Sequence, residues 1–362
     1  VGIQVDLKAG IAFKYITHNN QLVRQIKDEK NAHLVSDGHE KKDILKNIEN
    51  IDATALDDTI LGDNHSNKIK AGAGNDMVNG REGDDVIDAG DGDDIVYGGS
   101  GSDLIIGGHG HDEIFAGADD DIIMQMVDEE KDKIDGGDGF DIVDYSKVAS
   151  AEERRIGQAL TIKDGIVVNL ASHYATKYMT GVNGQAIYQQ DSLHNIEGVV
   201  GTLQNDTLRG DHNDNLLDGA DGDDLIHGRQ GNDRLKGGKG HDTYEFSLGD
   251  GQDIIEEDGG RDKIKLLSIT HANQVTVHKK ENNLVIRFTD AGVEHNDTIT
   301  VLGHFSNEKQ AIEEIVLGNN ISYDVSALVQ AAAGSSPLET SHSWSFNLNA
   351  LTPSAPTLVM PI

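Results

Sequence analysis

A nine-residue period, unbroken from Ala53 to Met124, constrains this chain more than any other feature. Read in nines, the segment gives ATALDDTIL, GDNHSNKIK, AGAGNDMVN, GREGDDVID, AGDGDDIVY, GGSGSDLII, GGHGHDEIF and AGADDDIIM. The period returns from Gly201 to Glu245 as GTLQNDTLR, GDHNDNLLD, GADGDDLIH, GRQGNDRLK and GGKGHDTYE, and a single unit, GGDGFDIVD, starts at Gly136. Such repeats predict a solenoid, because each unit buries its apolar residue only by stacking on its neighbours.

The eighth position of the repeat is always apolar, which separates this chain from a disordered acidic tail. The thirteen residues are Ile60, Ile69, Val78, Ile87, Val96, Ile105, Ile114, Ile123, Leu208, Leu217, Ile226, Leu235 and Tyr244. If about a third of positions were large and apolar, this agreement would arise by chance with a probability on the order of one in a million. We therefore expect an ordered stack whose core is one column of these side chains per face.

The charge balance limits the possible partners. With 63 acidic and 30 basic residues the net charge is −33, so nucleic acid is not expected as a partner, whereas cations are. The chain has no cysteine to form disulfides, and it has no run of about 18 apolar residues to span a membrane. It starts at Val1 without signal-peptide features, and we expect it to be the C-terminal part of a larger, extracellular protein.

Glycine and aspartate occupy fixed places in the repeat. The sixth position is Asp in eleven of the thirteen units and Asn in two, Asn67 and Asn215, and the first position is always Gly or Ala. This pattern resembles GGxGxDxUx, the nonapeptide of the RTX family, in which U is large and apolar. The resemblance implies an all-β fold: a parallel β-roll, or calcium-binding RTX solenoid.

The physical chemistry of the repeat agrees with that resemblance. Glycines permit tight turns with positive φ, and they leave backbone carbonyl groups free to face an ion. Calcium takes six to eight oxygen ligands, more than one turn supplies, so two stacked turns must share each ion. Two nonapeptides form one coil, which places each turn next to the turn two units away. The predicted ion-sharing pairs are Asp76–Asp94, Asp85–Asp103, Asp94–Asp112, Asp103–Asp121, Asp206–Asp224, Asp224–Asp242 and the weaker Asn215–Asp233.

The predicted calcium ligands fall into two groups, which together hold roughly ten ions. The carboxylate ligands are Asp76, Asp85, Asp94, Asp103, Asp112, Asp121, Asp141, Asp206, Asp224, Asp233 and Asp242. The glycines of the turns are Gly74, Gly83, Gly92, Gly101, Gly110, Gly222, Gly231 and Gly240. The first two units depart from the pattern, since Thr54 and Leu56, and then Asp63 and His65, replace glycines. We expect these two units to start the stack without binding full ions.

Longer internal echoes divide the chain into two blocks. NIENIDATALDDTIL at Asn47 returns as NIEGVVGTLQNDTLR at Asn195, and GIQVDLKAGIAFKY at Gly2 resembles GIVVNLASHYATKY at Gly165. The predicted regions are a spacer (1–52), the first array (53–124), a second spacer (125–200), the second array (201–257), a β-rich C-terminal cap (258–334) and a secretion-signal tail (335–362). Within the cap, QVTVHKK, NLVIRF, DTITVLGHF and IEEIVLGNN predict strands, and 326–333 predicts a short helix.

This arrangement is similar to that of type I-secreted RTX proteins, above all cytotoxins of the adenylate cyclase toxin type. VDYS at Val143, the NIE motifs and the DTY and GxGxD flank of the second array carry the likeness. The resemblance implies a secreted, extracellular region that folds on calcium, assists type I secretion and contacts a host-cell receptor or glycan. An RTX tail of a secreted lipase or protease, or of a large adhesin, is the alternative. No HExxH, GxSxG or P-loop motif is present, so we expect no catalytic activity in this chain.

Overall fold

The computed structural model describes residues 3–6, 11–14, 25–28, 31–33, 43–44, 49–126, 128, 130–146, 161–180, 185–290, 293–306, 311–325, 343–350 and 353. These ranges are nearly all β, and they contain no α-helix, only the short 3-10 turns Leu170–Ser172, Ala272–Gln274 and Leu348–Ala350. None of them holds a helix with the length and apolar character needed to cross a membrane. Tertiary contacts define a first unit, Val1–Lys163 with His173–Val199, and a second unit, Asp164–Ser172 with Val200–Ile362.

The strands are short and follow the repeat. The first eighteen are β1 (Ile3–Asp6), β2 (Ile11–Lys14), β3 (Gln25–Asp28), β4 (Asn31–His33), β5 (Asp43–Ile44), β6 (Asn50–Asp52), β7 (Thr59–Leu61), β8 (Lys68–Ala73), β9 (Met77–Glu82), β10 (Val86–Asp91), β11 (Ile95–Ser100), β12 (Leu104–His109), β13 (Glu113–Ala118), β14 (Ile122–Met124), β15 (Lys133–Asp138), β16 (Ile142–Asp144), β17 (Thr161–Asn169) and β18 (Tyr174–Thr180). The others are β19 (Ala186–His194), β20 (Gly198–Val200), β21 (Thr207–Arg209), β22 (Leu216–Asp218), β23 (Leu225–His227), β24 (Arg234–Lys236), β25 (Lys239–Gly240), β26 (Thr243–Phe246), β27 (Gln252–Glu256), β28 (Gly259–Gly260), β29 (Asp262–Leu266), β30 (Val275–Lys280), β31 (Asn283–Asp290), β32 (Val293–Val301), β33 (Ile312–Leu317), β34 (Ser322–Asp324) and β35 (Ser343–Asn347).

In the first unit, alternate strands stack in parallel with a spacing of two nonapeptides. Ile87 of β10 lies opposite Ile69 of β8 on one side and Ile105 of β12 on the other. Strands β7, β9, β11 and β13 form the facing stack with the same register. Every eighth-position side chain of this array is 0 % exposed, so the predicted core and the predicted parallel β-roll are confirmed.

The stack of the first unit continues beyond the unbroken array. β15 pairs with β13 and β16 with β14, which places Ile134 opposite Ile114 and Val143 opposite Ile123. The spacing there is twenty residues, because the coil after β14 is two residues longer than the others. The isolated nonapeptide at Gly136 is therefore part of the same roll, and β15 pairs next with β19.

The second unit repeats this construction. β21, β23, β26, β29 and β33 form one parallel stack, and β22, β24, β27 and β32 contribute to the facing one. β17 starts the first of these stacks by placing Val168 opposite Leu208, as β1 places Val5 opposite Ile60 in the first unit. The echo between the two spacers thus corresponds to a strand that covers the first rung of each array.

The predicted cap contains the strands expected from its sequence. β30 and β31 form an antiparallel hairpin that turns at Glu281, where φ is 57°, and β31 pairs with β32. Residues 343–347, assigned to the tail from the sequence, form β35, which pairs with β30. The predicted helix at 326–333 and most of the tail lie outside the described residues.

Candidate metal centre

Each array aspartate is hydrogen-bonded to the aspartate one coil away. The backbone N–H of Asp76 donates to Oδ1 of Asp94 at 2.8 Å, and that of Asp94 donates to Oδ1 of Asp112 at 3.0 Å. On the facing side, the N–H of Asp85 donates to Oδ1 of Asp103 at 2.8 Å. We call these columns ladder A (Asp76, Asp94, Asp112) and ladder B (Asp85, Asp103, Asp121, Asp141).

The second unit has two such columns, ladder C and ladder D. Ladder C runs from Asp206 to Asp224 at 2.7 Å and from Asp224 to Asp242 at 2.8 Å. Ladder D starts with the N–H of Asn215, which donates to Oδ1 of Asp233 at 2.8 Å. The structure thus brings together every pair that the sequence predicted to share an ion.

One oxygen of nearly every predicted aspartate ligand is buried without a hydrogen-bond partner in the described part of the chain. The Oδ2 atoms concerned belong to Asp76, Asp85, Asp94, Asp103, Asp112, Asp121, Asp141, Asp224, Asp233 and Asp242, and Oδ2 of Asp262, which was not predicted as a ligand, is buried in the same way. None of these side chains exposes more than 3 % of its surface. A buried, unpaired carboxylate oxygen is costly, so a column of them requires a cation or a proton at each position.

The pKa values of these carboxyl groups are raised, as expected for buried groups without a compensating positive charge. Burial raises the pKa of Asp94 to about 6, that of Asp76 and Asp103 to about 7, and that of Asp112 to about 8, from an ordinary value of 3.8. The N–H that donates to Oδ1 lowers each pKa in part, whereas nearby carboxylates raise it further. Without cations, many of these groups would hold protons near neutral pH.

The turn positions require glycine for two reasons: φ is positive there, and a Cβ atom would collide with the neighbouring turn. Gly92 has φ of 139°, and a Cβ there would collide with the carbonyl oxygen of Gly74. Gly240, with φ of 142°, is placed in the same way over the carbonyl oxygen of Gly222. All eight glycines predicted as ligands have positive φ: Gly74, Gly83, Gly92, Gly101, Gly110, Gly222, Gly231 and Gly240. Glycines one coil apart therefore lie too close together to accommodate a side chain.

This donor set fits calcium. Carboxylate and backbone carbonyl oxygens are the ligands that calcium prefers, and stacked turns can provide six to eight of them. His111, at a variable turn position, is exposed, and its ring lies beside Asp93 on the surface. When bound, calcium would supply the positive charge that the unpaired Oδ2 atoms lack.

Comparison with known families agrees with this geometry. The model of the RTX calcium-binding nonapeptide repeat (4 copies) matches residues 52–87, 88–123, 199–226, 218–255 and 227–264. The chain contains an RTX calcium-binding region.

Comparison with curated proteins gives no match. Among solved structures, the crystal structure of extracellular lipase LipA from Serratia marcescens is similar at a TM-score of 0.20 and 18 % identity, over 72 % of this chain and 40 % of the lipase. The chain thus spans less than half the length of that lipase.

The two arrays of this RTX region begin with an aspartate whose carboxylate is already hydrogen-bonded. The N–H and Oγ1 of Thr54 donate to Oδ2 of Asp58 at 2.8 and 2.9 Å. In the second unit, Thr202 donates to both oxygens of Asp206, and the N–H of Ile166 donates to Oδ1 at 2.6 Å. Both carboxylate oxygens of Asp206 therefore have hydrogen-bond partners, whereas each of the other ten predicted aspartate ligands has an unpartnered Oδ2.

Glutamates lie at the far end of ladders B and C. The N–H of Asp141 donates to Oε2 of Glu197 at 3.0 Å, and Glu197 belongs to the second NIE motif. Ladder C extends from Asp242 to Asp262 at 2.9 Å, and the N–H of Asp262 donates to Oε2 of Glu313 at 2.7 Å. Glu197 reaches its ladder from the segment between β19 and β20, whereas Glu313 reaches its ladder from β33.

Sequence reasoning missed three residues of the second unit. Asp253 extends ladder D, since it accepts the N–H of Asp233 at 2.9 Å, and Asp262 extends ladder C. Glu257 joins Asp242 and Asp262 in a buried cluster whose oxygens lie within 4.8 Å of one another. The signal was present, because Gly251-Gln252-Asp253 and Gly260-Arg261-Asp262 keep the Gly-x-Asp spacing with a two-residue insertion.

Glu257 is held in the cluster by the core residue Tyr244. The Tyr244 hydroxyl donates to Oε1 of Glu257, and Oε2 has no partner among the described residues. Burial raises the pKa of Glu257 to about 9, and the charge of Asp262 adds to the effect. Three carboxylates in such a space form a strong candidate calcium site.

Proposed function

We propose that this RTX region is a calcium-triggered folding module of a secreted bacterial cytotoxin. It would bind roughly ten calcium ions outside the cell, and its folding would drive type I secretion. The observation that carries the proposal is the column of buried, unpartnered Oδ2 atoms in ladders A to D. A core with one apolar side chain per nonapeptide cannot offset that much buried charge without cations.

The expected calcium response follows from mass action. A site with a Kd near 10⁻⁴ M contributes about 1.4 kcal/mol of folding free energy at millimolar calcium and almost nothing at submicromolar calcium. Ten sites together would then supply about the whole stability of a typical domain. The chain would remain unfolded inside the bacterium, as threading through a secretion channel requires, and would fold on leaving it. Folding at the exit would oppose backward movement.

The cytotoxin role adds a host-cell surface as partner and assigns no catalysis to this chain. Its support is the resemblance of the block arrangement, VDYS and NIE motifs included, to toxins of the adenylate cyclase type. Two of these motifs have structural roles here, since Tyr145 of VDYS and Glu197 of NIE both hydrogen-bond at ladder ends. An RTX tail of a secreted enzyme would share the ladders but would not bind host cells.

A secretion assay tests the proposal. The chain is exported from a bacterium with a type I system, in medium with micromolar or millimolar calcium. We compare it with a variant carrying Asp94→Asn and Asp103→Asn, which keeps an Oδ1 acceptor on each ladder but loses two charges. Ser102→Ala, at an exposed position of the same turns, is the control. We expect millimolar calcium to increase export of the wild type and the control several-fold, and of the double variant much less. Equal export of all three would contradict the proposal.

Host-cell binding is measured separately. Labelled chain is added to host cells in calcium, in magnesium and in chelator. Saturable binding in calcium alone is the expected result. Calcium-dependent folding and export without cell binding would reject the cytotoxin role and leave the RTX tail of a secreted enzyme.

A further inference from the structure

Ladder A continues past Asp112, the last of its aspartates with an unpartnered Oδ2. The carboxylates beyond Asp112 have side-chain partners. The N–H of Asp112 donates to Oδ1 of Asp132 at 3.0 Å, and the N–H of Asp132 donates to Oδ1 of Asp191 at 3.1 Å. Asp132 and Asp191 are as buried as the array aspartates, at 3 % and 1 % exposure. By backbone register, they are the next two rungs of the same column.

The oxygens of these two rungs face a lysine. Nζ of Lys177 lies 3.0 Å from Oδ1 of Asp191, 3.0 Å from Oδ1 of Asp128 and 3.5 Å from Oδ2 of Asp132. The Lys177 side chain is 0 % exposed. The Tyr145 hydroxyl donates to Oδ2 of Asp191 at 3.0 Å, so that carboxylate is fully hydrogen-bonded.

The ammonium group remains charged in this position. Burial by itself would lower the pKa of Lys177, but the carboxylates of Asp191, Asp128 and Asp132 raise it above its ordinary value. A buried ammonium surrounded by three carboxylates has the electrostatic role of a bound cation. It donates hydrogen bonds where calcium would accept oxygen ligands.

We propose that the Lys177 ammonium occupies, at the Asp132–Asp191 rung, the cation position that calcium fills along the rest of ladder A. The inference rests on the proposed calcium function and adds that the last rung of the first unit carries its own cation. This rung would then be complete without calcium. It would also exclude calcium from the carboxylates of Asp132 and Asp191.

The same lysine and aspartate recur in the first spacer. In the echo between Gly2 and Gly165, Lys14 aligns with Lys177, and Asp43 precedes its NIE motif by the same four residues as Asp191. The backbone register also agrees, because Ala12 pairs with Asp43 as Ala175 pairs with Asp191. The lysine therefore belongs to the block pattern of this chain, as expected of a residue with a fixed electrostatic role.

Calcium stoichiometry tests the inference. The full chain is saturated with calcium, and bound calcium per chain is measured by equilibrium dialysis for wild type, Lys177→Ala and Lys131→Ala, an exposed lysine near the same rung. We expect Lys177→Ala to bind one calcium more than the wild type, because the freed carboxylates form a new site, and Lys131→Ala to bind the same number. A folded Lys177→Ala with unchanged stoichiometry would overturn the proposal.

A second measurement covers the case in which Lys177→Ala does not fold. The wild type is crystallised with a lanthanide in place of calcium, and its anomalous scattering locates every ion. We expect ions beside Asp94 and Asp112 and none within about 2.6 Å of both Asp132 and Asp191. An ion on those two carboxylates would overturn the lysine inference alone, whereas a crystal with no ion on any ladder would overturn the proposed function itself.

Discussion

Ladder A of the first unit and ladder C of the second unit end beside side chains of opposite charge. In the first unit, the column through Asp76, Asp94 and Asp112 reaches Asp191, where a buried ammonium lies among the carboxylates. In the second unit, ladder C reaches Asp262, where Glu257 adds a third buried carboxylate. Columns built from similar repeats therefore end in different electrostatic surroundings: a buried ammonium group at the end of ladder A and an additional buried carboxylate at the end of ladder C.

The largest expected effect is the loss of both units without calcium. In chelator, circular dichroism of the chain should be largely that of an unfolded chain, and millimolar calcium should produce the β signal cooperatively. Magnesium should not replace calcium, because it requires a smaller octahedral shell. Hydrogen exchange in chelator sharpens the comparison: any residual protection should lie in β18 and β19, beside Lys177, and not near Glu257. A compact, β-rich chain in chelator would show that the ladders do not need calcium.

Truncated chains test whether the segment after Glu257 caps the second unit. A chain ending at Glu257 retains the array aspartates but loses Asp262, β29 and β33, which cover the end of ladder C. An uncovered roll exposes an apolar end and unpaired strands, so its calcium-driven folding should be greatly weakened. A chain ending at Gly334 should fold with a calcium midpoint close to that of the full chain, yet it should not be secreted. Equal midpoints for the Glu257 truncation and the full chain would refute the capping role.

A smaller effect is expected from Glu257→Gln. The variant keeps the size of the side chain and removes one of three carboxylates from the cluster, so the affinity of that site should fall by at least about tenfold. The adjacent Glu256→Gln is the matched control, because Glu256 is partly exposed and pairs with Arg234 on the surface. Calcium titration followed by circular dichroism measures both. If the two variants have the same midpoint, the cluster is not a calcium site.

Acidification should give the smallest of these effects. The folded, calcium-free pKa values are raised, to about 8 for Asp224 and Asp233 and about 6 for Asp85 and Asp94. Each raised carboxyl favours the folded state most below the unfolded value of about 4, and this contribution is lost as the pH rises through the folded pKa. In chelator, β signal should therefore increase from pH 8 to pH 5.

The same protons compete with calcium for the carboxylate oxygens. The calcium midpoint should therefore rise as the pH falls in both units, because each contains ladder carboxyls whose pKa is raised to about 8, Asp112 in the first and Asp224 in the second. Calcium titrations at pH 7.5 and 5.5, with exchange read separately in each unit, measure the difference. A midpoint that does not depend on pH would contradict the assignment of these oxygens as ligands.

Much of the fold and of the candidate site was determined by the sequence itself. A strict period with glycine at turns and an apolar eighth residue allows only one stacking, so the partners of Ile87 and Asp94 could be predicted before the structure. Local geometry suffices here, because each contact repeats at a fixed sequence distance. The Gly-x-Asp spacing that follows the second array could also have predicted Asp253 and Asp262 as members of ladders D and C. The predicted ligands ended at Asp242.

Only the tertiary structure decided how each column begins and ends. Lys177 lies 49 residues from Asp128 along the chain, and Glu313 lies 51 from Asp262, so no periodicity connects them. Thr202 stands where the repeat has glycine, as Thr54 does in the first array, but only the structure shows that its hydroxyl takes the oxygen that an ion would need. The charged side chain at the end of each ladder comes from a segment that is distant in sequence, such as Lys177 for ladder A and Glu313 for ladder C. The repeat therefore specifies the ladder, whereas the cation or anion that completes it is set by long-range packing.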